Sequence, residues 1–287
     1  MVSNAELDYA LRGAAANARE DGRGRLDVRD VVLETNVLPQ ASGSSRLRTQ
    51  GGPEVIVGVV AVLSEPDPAT PDSGRVSISV DVCANDNSLT CALPEYEGTS
   101  VHDEDKRLWL EGALSQLYAP RSLPIALRKL CIAPGRRCWE LKVRVRVICF
   151  DGCPLDAASL AVRAALHATR VPKITMGEPV GEASKKAAAD LEVHETLDDS
   201  MIFDTAALPL YVTLCNLDGN LVADCTAKER QAAGSAISLA LDADGDVTAL
   251  IGGGLYGSHF GEVGSAMAAA RALGAECHAA AVEVMSR

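Results

Sequence analysis

Residues 139 to 168 constrain the fold most. Trp139-Glu-Leu-Lys-Val-Arg-Val-Arg-Val147 alternates with a period of two, which sends Leu141, Val143, Val145 and Val147 to one face of a strand and Lys142, Arg144 and Arg146 to the other. The strand runs on to Phe150, Asp151-Gly-Cys-Pro154 turns the chain, and the run Leu160-Ala-Val-Arg-Ala-Ala-Leu166 carries a helix over about 154–168. A strand with one apolar face that leads into an apolar helix requires a sheet layered on that helix. The charged face has two readings: a surface open to solvent or to a neighbouring subunit, or a contact for RNA through Lys142, Arg144 and Arg146.

The segments on either side follow the same grammar. Ser3 and Glu6 form a capping-box signature, and Leu7, Leu11, Ala14, Ala15 and Ala18 share a face, so a helix is expected over about 4–19. Strand-like runs follow at 28–38, 45–49, 55–63 and 75–82, and the Pro- and Asp-rich stretch 64–74 between the last two is an exposed loop. Residues 103–118 read as a helix with Leu108, Leu110, Leu114 and Leu117 inward, and 127–132 as strand. Later, 208–215 and 221–225 flank Asp218-Gly219-Asn220, a strong hairpin signal, while 236–241 and 247–251 flank Asp242-Ala-Asp-Gly-Asp246. An alanine-rich helix closes the chain at 261–285. The expected organisation is an N-terminal helix (1–20), a first α/β half (21–176), an acidic polar connection (177–200) and a second half (201–287). Strand-rich halves each completed by a helix indicate α+β with mixed sheets, not a doubly wound parallel fold.

Composition narrows the function. A chain of 287 residues with 47% apolar content can bury a large core, and no apolar run reaches the roughly 18 residues that a membrane span needs. Net charge of −12 and 3% aromatic content argue against a protein that binds nucleic acid unaided, because phosphate needs cations and bases need stacking platforms. Nine scattered cysteines, none in a Cys-x-x-Cys pair, read as reduced core thiols, and the five histidines have no ligand spacing, so no metal is expected. Gly252-Gly-Gly254-Leu-Tyr-Gly257 satisfies a dinucleotide-loop pattern but lacks the following strand, so it reads as a flexible turn before the last helix. Asp242, Asp244 and Asp246 mimic a calcium loop whose twelfth position is Gly253 in place of glutamate, so a hairpin turn is the better reading.

An ordered series of landmarks carries a family resemblance over roughly residues 20 to 285. Asp21-Gly-Arg23 with Arg29, Ala41-Ser-Gly-Ser-Ser-Arg46, Val55-Ile-Val-Gly-Val59, Pro94-Glu-Tyr-Glu-Gly98, Leu130-Cys-Ile132 and Cys138-Trp139 resemble those of RNase PH-like ring subunits. Asp156-Ala-Ala-Ser159, Thr169-Arg-Val-Pro172, Val212-Thr-Leu-Cys215 and Val222-Ala-Asp-Cys-Thr226 resemble the partner-type, non-catalytic subunits of the RNA exosome, the group of the eukaryotic exosome component seven. The resemblance implies an RNase PH-like α+β fold of two βαβ-type halves, in which mixed sheets pack against helices. It also implies a ring of such subunits, with cap subunits, an associated 3′-to-5′ exoribonuclease, and single-stranded RNA in the channel. Nucleus, including nucleolus, and cytoplasm are the compartments it implies, with no membrane and no cofactor.

Active members of that family hold phosphate on a Gly-Thr-Arg loop after Asp-Gly and carry two aspartates six residues apart. Here the loop positions are Cys153, Pro154 and Leu155. Asp224 matches the first aspartate, Arg230 stands at the second with Glu229 beside it, Gly112 stands where a phosphate-binding arginine is expected, and Thr99 replaces another. Arginine cannot supply a carboxylate or act as a general acid. The resemblance therefore implies no catalytic residue, and Asp224 reads as a turn carboxylate satisfied by backbone donors. An active phosphorolytic nuclease with a divergent site is the alternative.

Overall fold

A computed structural model of the chain describes residues 2–83, 103–119, 124–176, 191–193, 200–203, 205, 208–254 and 260–285. The Pro94-to-Gly98 landmark, Thr99 and most of 177–200 lie outside the described residues. Helix α1 (Asn4–Ala16) begins at Ser3, whose hydroxyl accepts from the Glu6 amide while the Glu6 carboxylate accepts from the Ser3 amide. It stops short of the expected residue 19. Asn17 turns left-handed (φ 52°), and the amides of Asn17 and Ala18 close on the carbonyls of Ala14 and Gly13, which frees Arg19 to turn inward.

The first sheet contains β1 (Val31–Thr35), β2 (Gly43–Thr49), β3 (Glu54–Ser64), β4 (Arg75–Val82), β5 (Cys131–Ala133) and β6 (Arg137–Cys149), in the order β1-β2-β3-β6-β4 with β5 on β6. It is mixed: β4 lies parallel to β6 and the other pairings are antiparallel. The alternation of β6 buries the expected face, and Leu141, Val143, Val145 and Val147 sit opposite Ala61, Val59, Val57 and Val55 of β3. Helix α4 (Pro154–Ala168) covers that face. The fit is close enough that a Cβ on Gly43 would stand 2.3 Å from Thr169 Oγ1, so β2 meets the end of α4 only as glycine.

Two expectations fail here. Leu108 in α2 (Asp103–Leu117) is 53% exposed, because it lies about 200° around the helix from Leu110, which with Leu114 and Leu117 faces the core. Residues 127–132 are not one strand: Pro124, pre-set for a first helical position, opens the single turn α3 (Pro124–Arg128), and only Cys131–Ala133 pair as strand.

Short pairings join the halves: β7 (Arg170–Val171) with β10 (Met201–Ile202), and β8 (Ile174–Met176) with β9 (Leu191–Val193). The second sheet is antiparallel in the order β12-β11-β13-β14, from β11 (Leu210–Leu217), β12 (Asn220–Ala223), β13 (Ser235–Leu241) and β14 (Val247–Gly254). Asp218 and Gly219, both at positive φ, turn the β11–β12 hairpin. Between β13 and β14 the Asp242 carboxylate accepts from the amides of Asp244 and Asp246, the expected hairpin turn. Gly252 to Gly254 extend β14 and do not form a turn, since they pair with Ile237, Ala236 and Ser235 of β13. A short helix without a sequence signal of its own length, α5 (Ala227–Ala232), follows a capping box at Thr226.

Helix α6 (Phe260–Met285) lays Ala266, Ala270 and Leu273 on Val212, Leu214, Ile237, Leu239 and Leu241. The other face of β11 meets α4, where the Tyr211 amide donates to Ser159 Oγ. With helices on both sides, β11 and β13 are buried almost throughout, and α4 lies between the two sheets as the shared centre of one apolar core. The eight described cysteines are free thiols; Cys138, Cys153, Cys215 and Cys225 are fully buried and the rest partly so.

Candidate functional site

The site forms where the β6–α4 junction meets the β12–α5 turn. Gly152 (φ 55°) brings the two together so closely that a Cβ there would fall 1.8 Å from the Cys225 carbonyl oxygen, so no other residue fits. Asp151 then accepts from the Ala227 amide at the start of α5 and from Arg29 Nη1 at 3.1 Å. Asp224 leaves β12 in a left-handed conformation (φ 43°), which turns its carboxylate toward the segment after α1.

That segment supplies three guanidiniums. Arg29 grips Asp224 with Nε and Nη2 at 2.9 and 2.6 Å and adds its own amide at 2.8 Å. Arg23 reaches Asp224 at 3.0 Å and Asp21 at 2.8 Å. Arg19 holds Glu229 and also donates to the carbonyls of Ala223 and Asp224. Burial pulls the Arg29 guanidinium down, but its bonds to Asp224 and Asp151 outweigh that and hold it well above its usual range. Arg19 is raised in the same way, burial opposing and Glu229 prevailing. Asp224 is thus satisfied mainly by two guanidiniums, where backbone donors were expected.

The other positions carried by the resemblance are equally committed. Glu229 caps α5 by accepting from the Thr226 amide while it binds Arg19. Arg230 turns away from Asp224 into the interior, where Nη1 meets Cys215 Sγ at 3.2 Å. Cys153 is the N-terminal cap residue of α4 but makes no side-chain cap bond, Pro154 has no amide to offer, and Leu155 is buried. Gly112 lies exposed on α2, with open space where a side chain would project.

Behind the ion pairs lies a cavity of about 110 Å³ between β2, β11, α4 and α6. Its walls are mainly apolar, with Leu47, Leu160, Leu210 and Leu273, and it is also lined by Arg29, Asp156, Asp224 and Cys153. Asp156 faces it and is half-buried: desolvation raises its carboxyl to about 7, against the bonds it accepts from the amide and hydroxyl of Thr213. Sequence reading missed this carboxyl as a titrating group; its only signal was its place at the head of an apolar helix.

Lys142, Arg144 and Arg146 stand apart from the site, exposed along the open face of the first sheet. They sit in register with Val60, Gly58 and Ile56 of β3 and with Ser77, Ser79 and Asp81 of β4. Arg146 is raised by a hydrogen bond with Cys83 and by the charge of Asp81.

Comparison with known proteins agrees with this architecture. Residues 27–172 match the 3′ exoribonuclease family, domain 1, the RNase PH domain. The exosome complex component Rrp42 of Pyrococcus furiosus is 28% identical over 87% of this chain and 83% of its own length, and that of Methanosarcina acetivorans 31% over 71% and 77%. An archaeal exosome core chain superimposes with a TM-score of 0.71 at 22% identity, covering 99% of this chain and 97% of its own. A chain from the Archaeoglobus fulgidus exosome with RNA bound to the active site gives 0.70 at 24%, covering 95% and 96%. A landmark series in the sequence, two sheets around α4 and a matching family domain converge: this chain belongs to the RNase PH family of 3′ exoribonuclease-like proteins.

Proposed function

We propose that the chain is a non-catalytic ring subunit of an RNA exosome, a wall of the channel through which single-stranded RNA reaches an associated 3′-to-5′ nuclease. Its similarity to Rrp42 components along most of both lengths supports the place in a ring. One observation carries the silence: Asp224 and Arg29 are spent on each other. Phosphorolysis needs cations to hold a phosphate dianion and a carboxylate free to act. At this site Arg19, Arg23 and Arg29 all face Asp or Glu side chains, and the loop beside them offers the neutral side chains of Cys153, Pro154 and Leu155. Losing a single oxyanion donor costs on the order of 10²–10³ in rate in enzymes that depend on one.

Other RNase PH-like subunits, cap subunits and the nuclease are the expected partners, in nucleus and cytoplasm. The purified chain, given single-stranded RNA and inorganic phosphate, should release no nucleoside diphosphate above background. Phosphate-dependent release that disappears in Asp224→Asn would sink the proposal and favour an active, divergent nuclease.

A further inference from the structure

Three thiols meet beneath the site. Cys153 caps α4, Cys215 lies on β11 and Cys225 follows Asp224, and all three pack in one buried cluster. Cys215 packs with Cys153 and Cys225 in that cluster, with Arg230 Nη1 at 3.2 Å from its sulfur. The Cys225 thiol also faces the Val222 carbonyl at 3.6 Å. Of the three, only Cys153 lines the cavity, whose lining also includes the exposed side chains of Val28 and Val31.

We propose that Cys153 and Cys215 form a peroxide-oxidisable thiol pair that closes to a disulfide. The geometry supplies each requirement. The cavity, at about 110 Å³, admits hydrogen peroxide, a molecule near the size of water, to the Cys153 sulfur. Cys153 sits at the N-terminus of a 15-residue helix, whose aligned peptide dipoles work against its contact with Cys215 and its burial, which hold the thiol well above the usual range. A guanidinium beside Cys215 stabilises negative charge on the second sulfur, and the bonds from its neighbours and Arg230 hold Cys215 well below the usual thiol range despite burial. Of the pair, Cys215 is the more acidic thiol and Cys153 the less, so Cys153 ionises by passing its proton to a Cys215 thiolate.

The chemistry balances. Proton transfer to Cys215 leaves a Cys153 thiolate, which attacks one peroxide oxygen; the O–O bond breaks, a sulfenic acid forms and hydroxide leaves. The hydroxide takes the Cys215 proton and departs as water. The Cys215 thiolate then attacks the Cys153 sulfur, the S–S bond forms, and the second hydroxide leaves with a proton from solvent. The two sulfurs lose two electrons and one peroxide is reduced to two waters. This inference does not depend on the ring assignment.

The test uses the full-length chain, folded, treated with hydrogen peroxide, then denatured, alkylated and digested without reductant. Mass spectrometry should find a peptide joined through Cys153 and Cys215, two hydrogens lighter than the sum, which dithiothreitol resolves. In Cys215→Ala that cross-link must vanish, and Cys153 sulfenic acid, trapped by dimedone, should form more slowly than the cross-link forms in the wild type, since no Cys215 thiolate is left to take the Cys153 proton. Arg230→Gln should slow cross-linking about tenfold at neutral pH, since a thiol at its ordinary pKa is only a few per cent thiolate. Circular dichroism of each variant establishes that it is folded before its rate is read. Wild-type protein in which peroxide leaves Cys153 and Cys215 as thiols, or joins Cys215 to Cys225 instead, overturns the proposal.

Discussion

Asp156 ties the stability of the molecule to pH through one carboxyl. Folded, it titrates near 7; in an unfolded chain an aspartate titrates near 4. Between those values the folded state holds the extra proton, so the contribution of this carboxyl to stability is fully present below about pH 4, falls as pH rises through the window and is lost above about 7. Asp156→Asn preserves the geometry: its amide oxygen accepts from the Thr213 amide, and its NH₂ donates to Thr213 Oγ1, which passes its own proton to Ser238. Urea unfolding at pH 5 and pH 8 should therefore show the variant gaining on wild type as pH rises, by a few kcal/mol on the order of 1.4 per pH unit. Parallel curves would refute the coupling. The sequence shows Asp224 and Arg29 as separate landmarks but not that they bind one another, because 195 positions separate them and only the fold closes that distance. The contact among Cys153, Cys215 and Cys225 is hidden for the same reason, and residue type alone made them ordinary core thiols.

Strand β6 and helix α6 each carry a test at the scale of an element. On β6, Lys142, Arg144 and Arg146 repeat every second residue, about 7 Å apart, which suits a phosphate backbone as well as a protein surface. If they line the channel, replacing all three with alanine should weaken RNA crosslinking to the assembled ring and flatten the salt dependence by about 2 in log–log slope, at roughly 0.7 per lost single-strand contact. Loss of assembly would place this face at a subunit contact instead. Helix α6 is anchored by His278, which meets Arg163 through Nδ1 and the Leu241 carbonyl through Nε2. Burial, outweighing the Leu241 bond, lowers its pKa, with Arg163 adding to the effect, so the contribution of His278 is intact above about 6.5 and is lost as pH falls below it. Hydrogen-exchange protection of α6, corrected for intrinsic rates, should drop between pH 7 and pH 5, and His278→Gln should remove the step. Elements of this kind were legible in sequence where periodicity and caps agreed, as in α1, β6, α4 and α6. Segments of five and six residues, α3 and α5, were not: less than two helical turns carry too few positions to show a face, and such a helix depends on neighbours such as Asp151, which accepts from the first amide of α5.

At the scale of the whole molecule, the approach to β1 and β1 itself leave apolar side chains uncovered. Leu26, Val28, Val31 and Val32 are each between 42% and 53% exposed, and the last two lie on β1, an edge strand of the first sheet. An open edge with apolar side chains invites pairing with another chain. Expressed alone, the protein should self-associate, and co-expression with RNase PH-like partners should yield a discrete complex several-fold heavier than the 30.0 kDa chain on size exclusion. A monodisperse monomer at high concentration would contradict the ring reading.

Arg19, Arg23 and Arg29 reach Glu229 and Asp224 across 195 to 210 positions of chain. On the ribosome these arginines emerge early and most of their carboxylates late, so for most of synthesis Arg19 and Arg29 lack the groups that will neutralise them, and only Arg23 has a partner, Asp21, beside it. Their pairing belongs to the final steps of folding, after β12 and α5 have left the exit tunnel. A release that stops translation before residue 223 would therefore leave a chain with its first sheet complete and its N-terminal arm undocked, without the carbonyls and carboxylates that hold Arg19, Arg23 and Arg29.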